Sequence, residues 1–509
     1  MESYKSLFEK YQDSRLLQKY VDYSKWTIPK LFPQVGKRLE TRGNDTVERD
    51  FQSMGGILVN SLASSLLQML FPIGLSFFRI KPTKDLENLL KSLNKEKKIG
   101  TVIDLENIAC EKLLSNAGYA NLGLALAQLI VTGNVLLFRR NEGIVCYNTN
   151  QYSMLRDNDG TVLDIIVRES IAYSRLPEDI KYNTRLQGKK DFDPIDMYTR
   201  IKRVVREGTV LYEVSTEVED IPYGETELYH EHLCPYIPVV WSSVNGNSYG
   251  HGLVEDYAGD FAKLSMLNEA LALYELDACK VVNLCKPGSG SDFDALESAQ
   301  TGDWVLADPV SVSKLEGGNY QLISAIGADI ASIWERLSVA FMYSANVRDA
   351  ERVTAEEIKL KIRETDKTLG GVYSQLSKSL HIPLAYLLIT EVLPELIPYI
   401  IKGTISLEIQ TGTAALGRTS DVERLMRAFE VITVLVPAAQ QSSARFNTER
   451  IIDLVLTSNN IKLEDVMYTE EELEEKKAQE QQAQSQMLNT MGLPGGTNPV
   501  DLSTQLGGM

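Results

Sequence analysis

The chain has 509 residues, 24% of them charged and 44% hydrophobic, an ordinary globular composition with length enough for roughly two to four compact regions. A formal net charge of −17 excludes a molecule whose whole surface grips nucleic acid or an anionic membrane. Cys110, Cys146, Cys234, Cys279 and Cys285 are scattered without a Cys-x-x-Cys pair, so free, mostly buried thiols in a reducing compartment are expected.

The opening MESYKSLFEK is charged and amphipathic, unlike a secretory signal, and residues 1–25 read as one amphipathic helix. TIPKLFP (27–33) is a rigid, proline-bounded turn. Helical periodicity returns over about 47–70 and 103–131. Leu58, Leu62, Leu66 and Leu70 recur every fourth position, one face of a helix ending near Pro72. Asn60, Gln68, Pro72 and Gly74 interrupt the stretch 59–78, which therefore reads as a core helix followed by a strand, not as a membrane span of about 20 apolar residues. TGN (132–134) stops the next helix and VLLFRR (135–140) reads as a strand. Residues 143–245, rich in β-branched and aromatic side chains between short turns, predict a block of hairpins.

From 253, LVEDYAGDFAKLSMLNEALALYELDACKVVNL predicts one long helix with few breakers. CKPGSGSDFD (285–294) punctuates it, and 301–323 predicts short strands with turns. A second helix, ADIASIWERLSVAFMYSA, follows. The two helices are expected to run side by side in opposite directions, with a small β module over about 285–322 at their far end. Next comes SANVRDAERVTAEEI (344–358), a polar loop carrying Arg348 and Arg352. Thr354 and Glu357 form a capping box that starts another helix. Its period runs through Ile358, Ile362, Leu369, Val372, Leu376 and Leu380, with a bend expected at Gly370 and Gly371. GTISLEIQTG (403–412) reads as a strand, helices fill 420–467, and a Gly/Pro-rich tail closes the chain.

Motifs of common enzyme classes are missing. There is no G-x-x-x-x-G-K-[ST], G-x-S-x-G or H-E-x-x-H. His230, His232 and Cys234 alternate in HEHLC. On a strand they would share one face, but three candidate ligands make a weak metal site and a polar hairpin edge is the plainer reading. GSGSDFD (288–294) reads as a turn, not an anion site. The charges of the helix after 354 fit a solvated face with local ion pairs.

Several stretches, taken in order over about residues 27–380, resemble the portal, or head-to-tail connector, proteins of short-tailed (podovirus-type) bacteriophages. They are TIPKLFP (27–33), GNVLLF (133–138), LPEDI (176–180), CPYIP (234–238), SYG (248–250), AQTGDWV (299–305), ERVTAEEI (351–358) and TLGGVYS (368–374). The resemblance implies a non-enzymatic α+β portal fold assembled as a cyclic ring, typically a dodecamer, around a channel at one capsid vertex. It implies a wing over 1–252 and 354–425, stem helices over 253–284 and 323–343, and a clip over 285–322. A tunnel loop over 344–353 and a crown with flexible tail over 426–509 complete it. The implied roles are nucleating head assembly, docking the packaging motor, joining head to tail and conducting DNA at ejection.

The implied partners are copies of the chain itself, double-stranded DNA, the terminase large subunit, scaffolding protein, the major capsid protein and tail adaptor proteins, with room for internal core proteins. No cofactor, metal or membrane is implied, and the location is the head-tail vertex of a virion assembled in the host cytoplasm. Repeated around a ring, Arg348 and Arg352 become two girdles of positive charge facing DNA. The alternative is pairing with Asp349, Glu351 or a neighbour's carboxylates. Arg336 on the second stem helix, and Lys286 and Lys314 in the clip, are weaker candidates for contact with the channel, a neighbouring subunit or the motor. A metal-dependent hydrolase built on HEHLC and a channel-free adaptor stand as the competing readings.

Overall fold

The computed structural model describes residues 2–31, 50–73, 76–81, 102–114, 118–140, 143–181, 188–278, 281–286, 292–300, 302–305, 310, 312–316, 320–343, 371–372, 374–410 and 430. The chain divides into two compact units, Met1–Ala415 and Leu416–Met509, and every element named below belongs to the first.

The N-terminal segment forms two helices where one was expected, α1 (Tyr4–Tyr11) and α2 (Ser14–Trp26). Asp13 is the reason: its carboxylate accepts from the Arg15 and Leu16 amides at 2.9 and 3.2 Å, starting a new helix. The leucine stripe behaves as its period predicts. In α3 (Met54–Leu70), Leu58, Leu62, Leu66 and Leu70 are all buried. Strand β1 (Phe78–Ile80) follows, and then α4 (Val102–Leu114) and α5 (Gly118–Thr132). No helix among the described residues is long and apolar enough to cross a membrane.

The β-rich block folds into two antiparallel sheets. In the first, β2 (Asn134–Arg140) lies between β3 (Gly143–Tyr147) and β9 (Tyr236–Val240). The second holds β4 (Tyr152–Arg156), β5 (Val162–Ala172), β6 (Pro194–Arg206), β7 (Thr209–Val218) and β8 (Ile221–His230) in sequence order. Alternation decides the faces. Ile165, Ile201 and Val214 stand in register on one side and pack with Leu136 and Tyr147 of the smaller sheet. On the other side Ile166 and Tyr198 receive Leu7 and Phe8 of α1. There Asp164 and Arg200 form a largely buried pair at 2.6 Å.

One joint holds these parts together. The two N–H groups of the Asn134 amide are shared among the Tyr20 hydroxyl, the Thr132 carbonyl and the Gly250 carbonyl, at 2.9, 2.9 and 2.8 Å. Its oxygen accepts from the Gly250 amide at 2.7 Å. Gly133 sits at φ +76°, and a Cβ there would lie 2.3 Å from the His251 carbonyl carbon. The motifs GNVLLF and SYG are thus two halves of one backbone-on-backbone contact.

After β9 a single turn, Leu253–Asp256, leads into α6 (Ala258–Ala278). The helix expected over 253–284 ends there, because Val281–Cys285 is strand β10, paired antiparallel with β11 (Val312–Glu316). A short helix, Phe293–Ser298, lies between them, where only turns and strands were expected. The second long helix, α7, spans Tyr320–Ala340.

Farther on, a π turn at Ser377–His381 runs into α8 (Ile382–Val392). Leu376 and Leu380 are buried as their period predicts. Strand β12 (Leu407–Ile409), inside the stretch 403–412 read as a strand, pairs with β1. The Arg139 guanidinium of β2 bonds both oxygens of Glu391 at 2.8 Å, tying sheet to α8. The capping box at Thr354, the helices expected over 420–467 (Glu430, which is helical, apart) and the tail lie outside the described residues.

Two measurements test this account. Asn134→Ala leaves the Gly250 amide and carbonyl buried without the side chain that bonds both, and is expected to cost roughly 2–4 kcal/mol in denaturant unfolding. His381 is fully buried between Phe71 and Phe77, its Nε2 3.2 Å from the Leu70 carbonyl, and burial pulls its pKa down to about 4. An unfolded histidine titrates near 6.5, so between these values the unfolded chain binds the extra proton. This contribution is complete above pH ~6.5 and declines as pH falls, by up to on the order of 3 kcal/mol near pH 4. Melting curves from pH 7 to 4 should fall less steeply for His381→Gln than for the wild type.

Candidate functional site

The element that projects from this body is the hairpin of α6 and α7. Both helices carry apolar residues at helical spacing, and at the root these meet each other. Phe261 and Leu264 of α6 face Ile330, Ile333 and Leu337 of α7, with Phe341 just beyond; all are buried. The rings of Phe261 and Phe341 meet edge-on at 5.6 Å. The Ser265 hydroxyl donates to Asp50 at 2.6 Å, anchoring the root against the segment before α3.

Two ion pairs cross between the helices, Asp260 to Arg336 at 2.7 Å and Lys263 to Asp329 at 3.4 Å. With Phe261 beside Phe341 and the strand register Val281 opposite Glu316, they make α6 and α7 antiparallel, as expected from sequence. Arg336, a weaker candidate for contact with the channel or a neighbour, has a partner within its own chain. The Asp260 carboxylate beside it raises its pKa further. The pair is exposed, so it orients more than it stabilises.

The end of α7 is closed in a way the sequence did not signal. The Tyr343 amide donates to the Ser338 carbonyl and the Met342 amide to the Val339 carbonyl, at 2.8 and 3.1 Å. This is a Schellman stop, in which the left-handed position, φ +53°, belongs to Met342 where glycine is usual. Trp334 packs edge-on against Tyr343 at 5.4 Å. Arg348, Arg352 and Gly370 follow and lie outside the described residues. Gly371 is helical, and a Cβ there would meet nothing within 4 Å, so packing does not require a glycine. Lys286 is exposed just after β10, and Lys314 stands opposite Asn283 in the strand pair.

HEHLC is not the face of one strand. His230 ends β8, Glu231–Leu233 form a 3-10 turn, and Cys234 is buried. The turn breaks the alternation that would have aligned the three ligands. Burial pushes the Cys234 thiol up to about 12, away from the thiolate a metal needs. Among the described residues no group of three or more His, Cys, Asp or Glu side chains is arranged to hold a metal ion.

The candidate site is thus a long two-helix projection with a β tip, rooted in a sheet body. The chain belongs to the bacteriophage head to tail connecting protein family, whose pattern it matches over residues 2–464. It is 34% identical to the portal protein of Pseudomonas phage phiKMV, with 99% of each chain covered. To the portal protein of Escherichia phage T7 it is 32% identical over 94% of this chain and 90% of that one. The solved neck of a native gene transfer agent particle, computed with C12 symmetry, aligns with 78% of this chain and 98% of its own at 12% identity and a TM-score of 0.33. The function is that of a head-tail connector, or portal.

Packing and charge in the hairpin separate experimentally. Leu337→Ala should cost about 2–5 kcal/mol in chemical unfolding, because it empties a fully buried site. Arg336→Ala, which removes an exposed pair, should leave the midpoint within error of the wild type.

Proposed function

We propose that copies of this chain close into a ring around a channel that conducts double-stranded DNA through one capsid vertex. The observation that carries this reading is the unburied outer part of the hairpin. Among the described residues, nothing in α6 beyond Leu264 and nothing in α7 before Ile330 is buried, although both stretches are rich in leucine, isoleucine and alanine. A helix that is apolar on more than one side needs neighbours on more than one side, and a ring supplies them.

In this reading the sheet body is the wing, α6 and α7 are the stem, the β10–β11 pair with its intervening segment is the clip, and residues 426–509 form the crown. Subunit contacts in such a ring are heterologous and close by rotation. The family also suggests a dodecamer that nucleates head assembly with scaffolding and major capsid proteins. Terminase and then tail adaptors would dock at the clip, with internal core proteins meeting the crown.

Residues 344–353 become the tunnel loop. At 10 Å in water one charge pair is worth about 0.4 kcal/mol, below thermal energy. Girdles of Arg348 and Arg352 would therefore steady a passing duplex without arresting it. The acidic balance of the chain, −17 overall, opposes the tight phosphate binding that counterion release would otherwise drive.

End-on images of the purified protein should show an annulus with a central hole, and solitary particles without one would remove the reading. Replacing Arg348 and Arg352 together by alanine should leave rings intact while lowering DNA packaging or retention. Normal packaging and retention by that variant would take the loop out of the mechanism.

A further inference from the structure

Two arginines of the sheet body lack what two others have. Arg139 and Arg200 each turn the Nε–Nη2 edge of the guanidinium onto a carboxylate, Glu391 at 2.8 and 2.8 Å and Asp164 at 3.0 and 2.6 Å. Arg156, at the end of β4, has the same edge buried, and there neither Nε nor Nη2 has a hydrogen-bond partner. Its Nη1 donates to the Gly160 carbonyl at 2.9 Å, which fixes the guanidinium. Arg203 of β6 also has a buried, unpaired Nε, and Tyr152 of β4 a buried, unpaired hydroxyl. Among the described residues, neither Arg156 nor Arg203 has a carboxylate within ion-pair distance.

These groups converge at one end of the layer between the two sheets. Ile201 of β6 and Val214 of β7 face that layer. Two residues farther along, Arg203 and Tyr212 stand opposite each other on the same face. Arg156 lies on the far side of β5, opposite Val162, where a register shift at Leu155/Arg156 re-aims the side chain. Burial, Glu231 and Cys234 raise the Tyr212 pKa to about 12, and Arg203 and Arg156 both oppose the rise, so both guanidiniums act on one hydroxyl. Burial pulls the pKa of Arg156 itself down, and the groups that oppose it are the hydroxyls of Tyr152 and Tyr212, not a carboxylate. Glu231 and Asp159 stand nearby, but both are exposed and neither pairs with these arginines. Arginine cannot shed its proton on burial, so its charge calls for an anion.

We infer that Arg156 and Arg203 together bind a small oxyanion of the phosphate class at this end of the sheet layer. The Nε–Nη2 edge of Arg156 takes two of its oxygens side by side, as the same edge of Arg200 takes Asp164. The remaining oxygens are left for Arg203 and for the hydroxyls of Tyr152 and Tyr212. Two guanidiniums match the charge of hydrogen phosphate, whereas a carboxylate brings a single charge and two oxygens. Arg203 is part-exposed, and Lys202, Val205 and Arg206 beside it are exposed. The ion therefore enters from the solvent end as the Arg203 side chain rotates. Once bound, it ties β4 to β6 across β5 and supplies the counter-charge that the fold itself withholds from Arg156. The site lies apart from the hairpin and makes no demand on a ring.

Inorganic phosphate is the probe, titrated into full-length protein at an ionic strength held constant with chloride. Calorimetry follows binding and circular dichroism follows melting. The wild type should bind phosphate saturably, one per chain, and its melting temperature should climb as the site fills. Arg203→Gln, and Arg156→Lys, which keeps the charge but loses the fork, should each weaken binding about 10-fold or more. Arg156→Met gives a readout that a merely structural arginine would not. Without phosphate it should melt no lower than the wild type, because it removes a buried charge that has no counter-charge. In saturating phosphate it should melt lower. Equal destabilisation of Arg156→Met in both buffers would overturn the inference, as would phosphate binding that survives unchanged in Arg203→Gln and Arg156→Lys. Stabilisation by acetate as strong as that by phosphate would overturn the phosphate class and assign the site to a carboxylate.

Discussion

The hairpin of α6 and α7 is rooted at a contact too close for side chains. Gly133, Gly250 and Gly252 bring two stretches of backbone together so tightly that a Cβ on Gly252 would lie 2.7 Å from the Gly133 nitrogen. Three helix or strand boundaries meet there: the end of α5, the start of β2 and the turn before α6. Asn134 serves the polar groups this approach buries, its two N–H groups shared among three oxygens and its own oxygen accepting from the Gly250 amide. The consequence is mechanical. The hairpin does not hang from a flexible linker; its first turn begins at Leu253, immediately after the packed backbone.

From that root the physics changes along the hairpin. Near the body, Phe261, Leu264, Leu337 and Phe341 are enclosed, and the segment before α3 contributes to the enclosure. Farther out there are only two helices, and two helices cannot cover each other on all sides. A solitary chain leaves Met266, Leu273, Leu276 and Val339 exposed along them, the kind of apolar surface that soluble monomers rarely present when contiguous. Rigid at the root and incomplete along its length, the hairpin suits an element finished by identical neighbours.

Much of this was legible wherever one period dominates. The leucines of α3, the strand after Gly133 and the hairpins of the β block all follow from spacing and side-chain type alone. The antiparallel pair of long helices was visible because a breaker-rich module separates two helical runs. What could not be read depends on partners distant in sequence. Residues 281–285 continue a helical composition yet form a strand, because Val312–Glu316 lies alongside to receive their hydrogen bonds. Arg336 has its carboxylate partner 76 residues away. The turn at Glu231–Leu233 that dissolves the metal reading of HEHLC lies between strands of different sheets. The left-handed stop at Met342 carries no glycine to announce it. The break at Asp13 was readable, since a capping residue stands there and the apolar face of Leu7 and Phe8 does not continue in phase through Leu17, Tyr20 and Tyr23.

In the proposed ring, the stop at Met342 would set where the tunnel loop starts. A left-handed residue without glycine's freedom is uncommon and is held by its surroundings. Here they are Phe341, fully buried against Phe261, and Tyr343, packed on Trp334. The loop's starting point is therefore as fixed as the stem itself. Arg348 lies six residues beyond Met342, so its backbone stays within about 20 Å of that anchor even if fully extended. A charge tethered to a rigid base at this range can sample the space beside a duplex without travelling with it. Weak attraction from a fixed anchor is what a conduit requires, since stronger binding would carry the loop along with its cargo or stall the cargo against it. In the proposed channel, a rigid end to the hairpin and weak contacts from the loop would be two parts of one requirement.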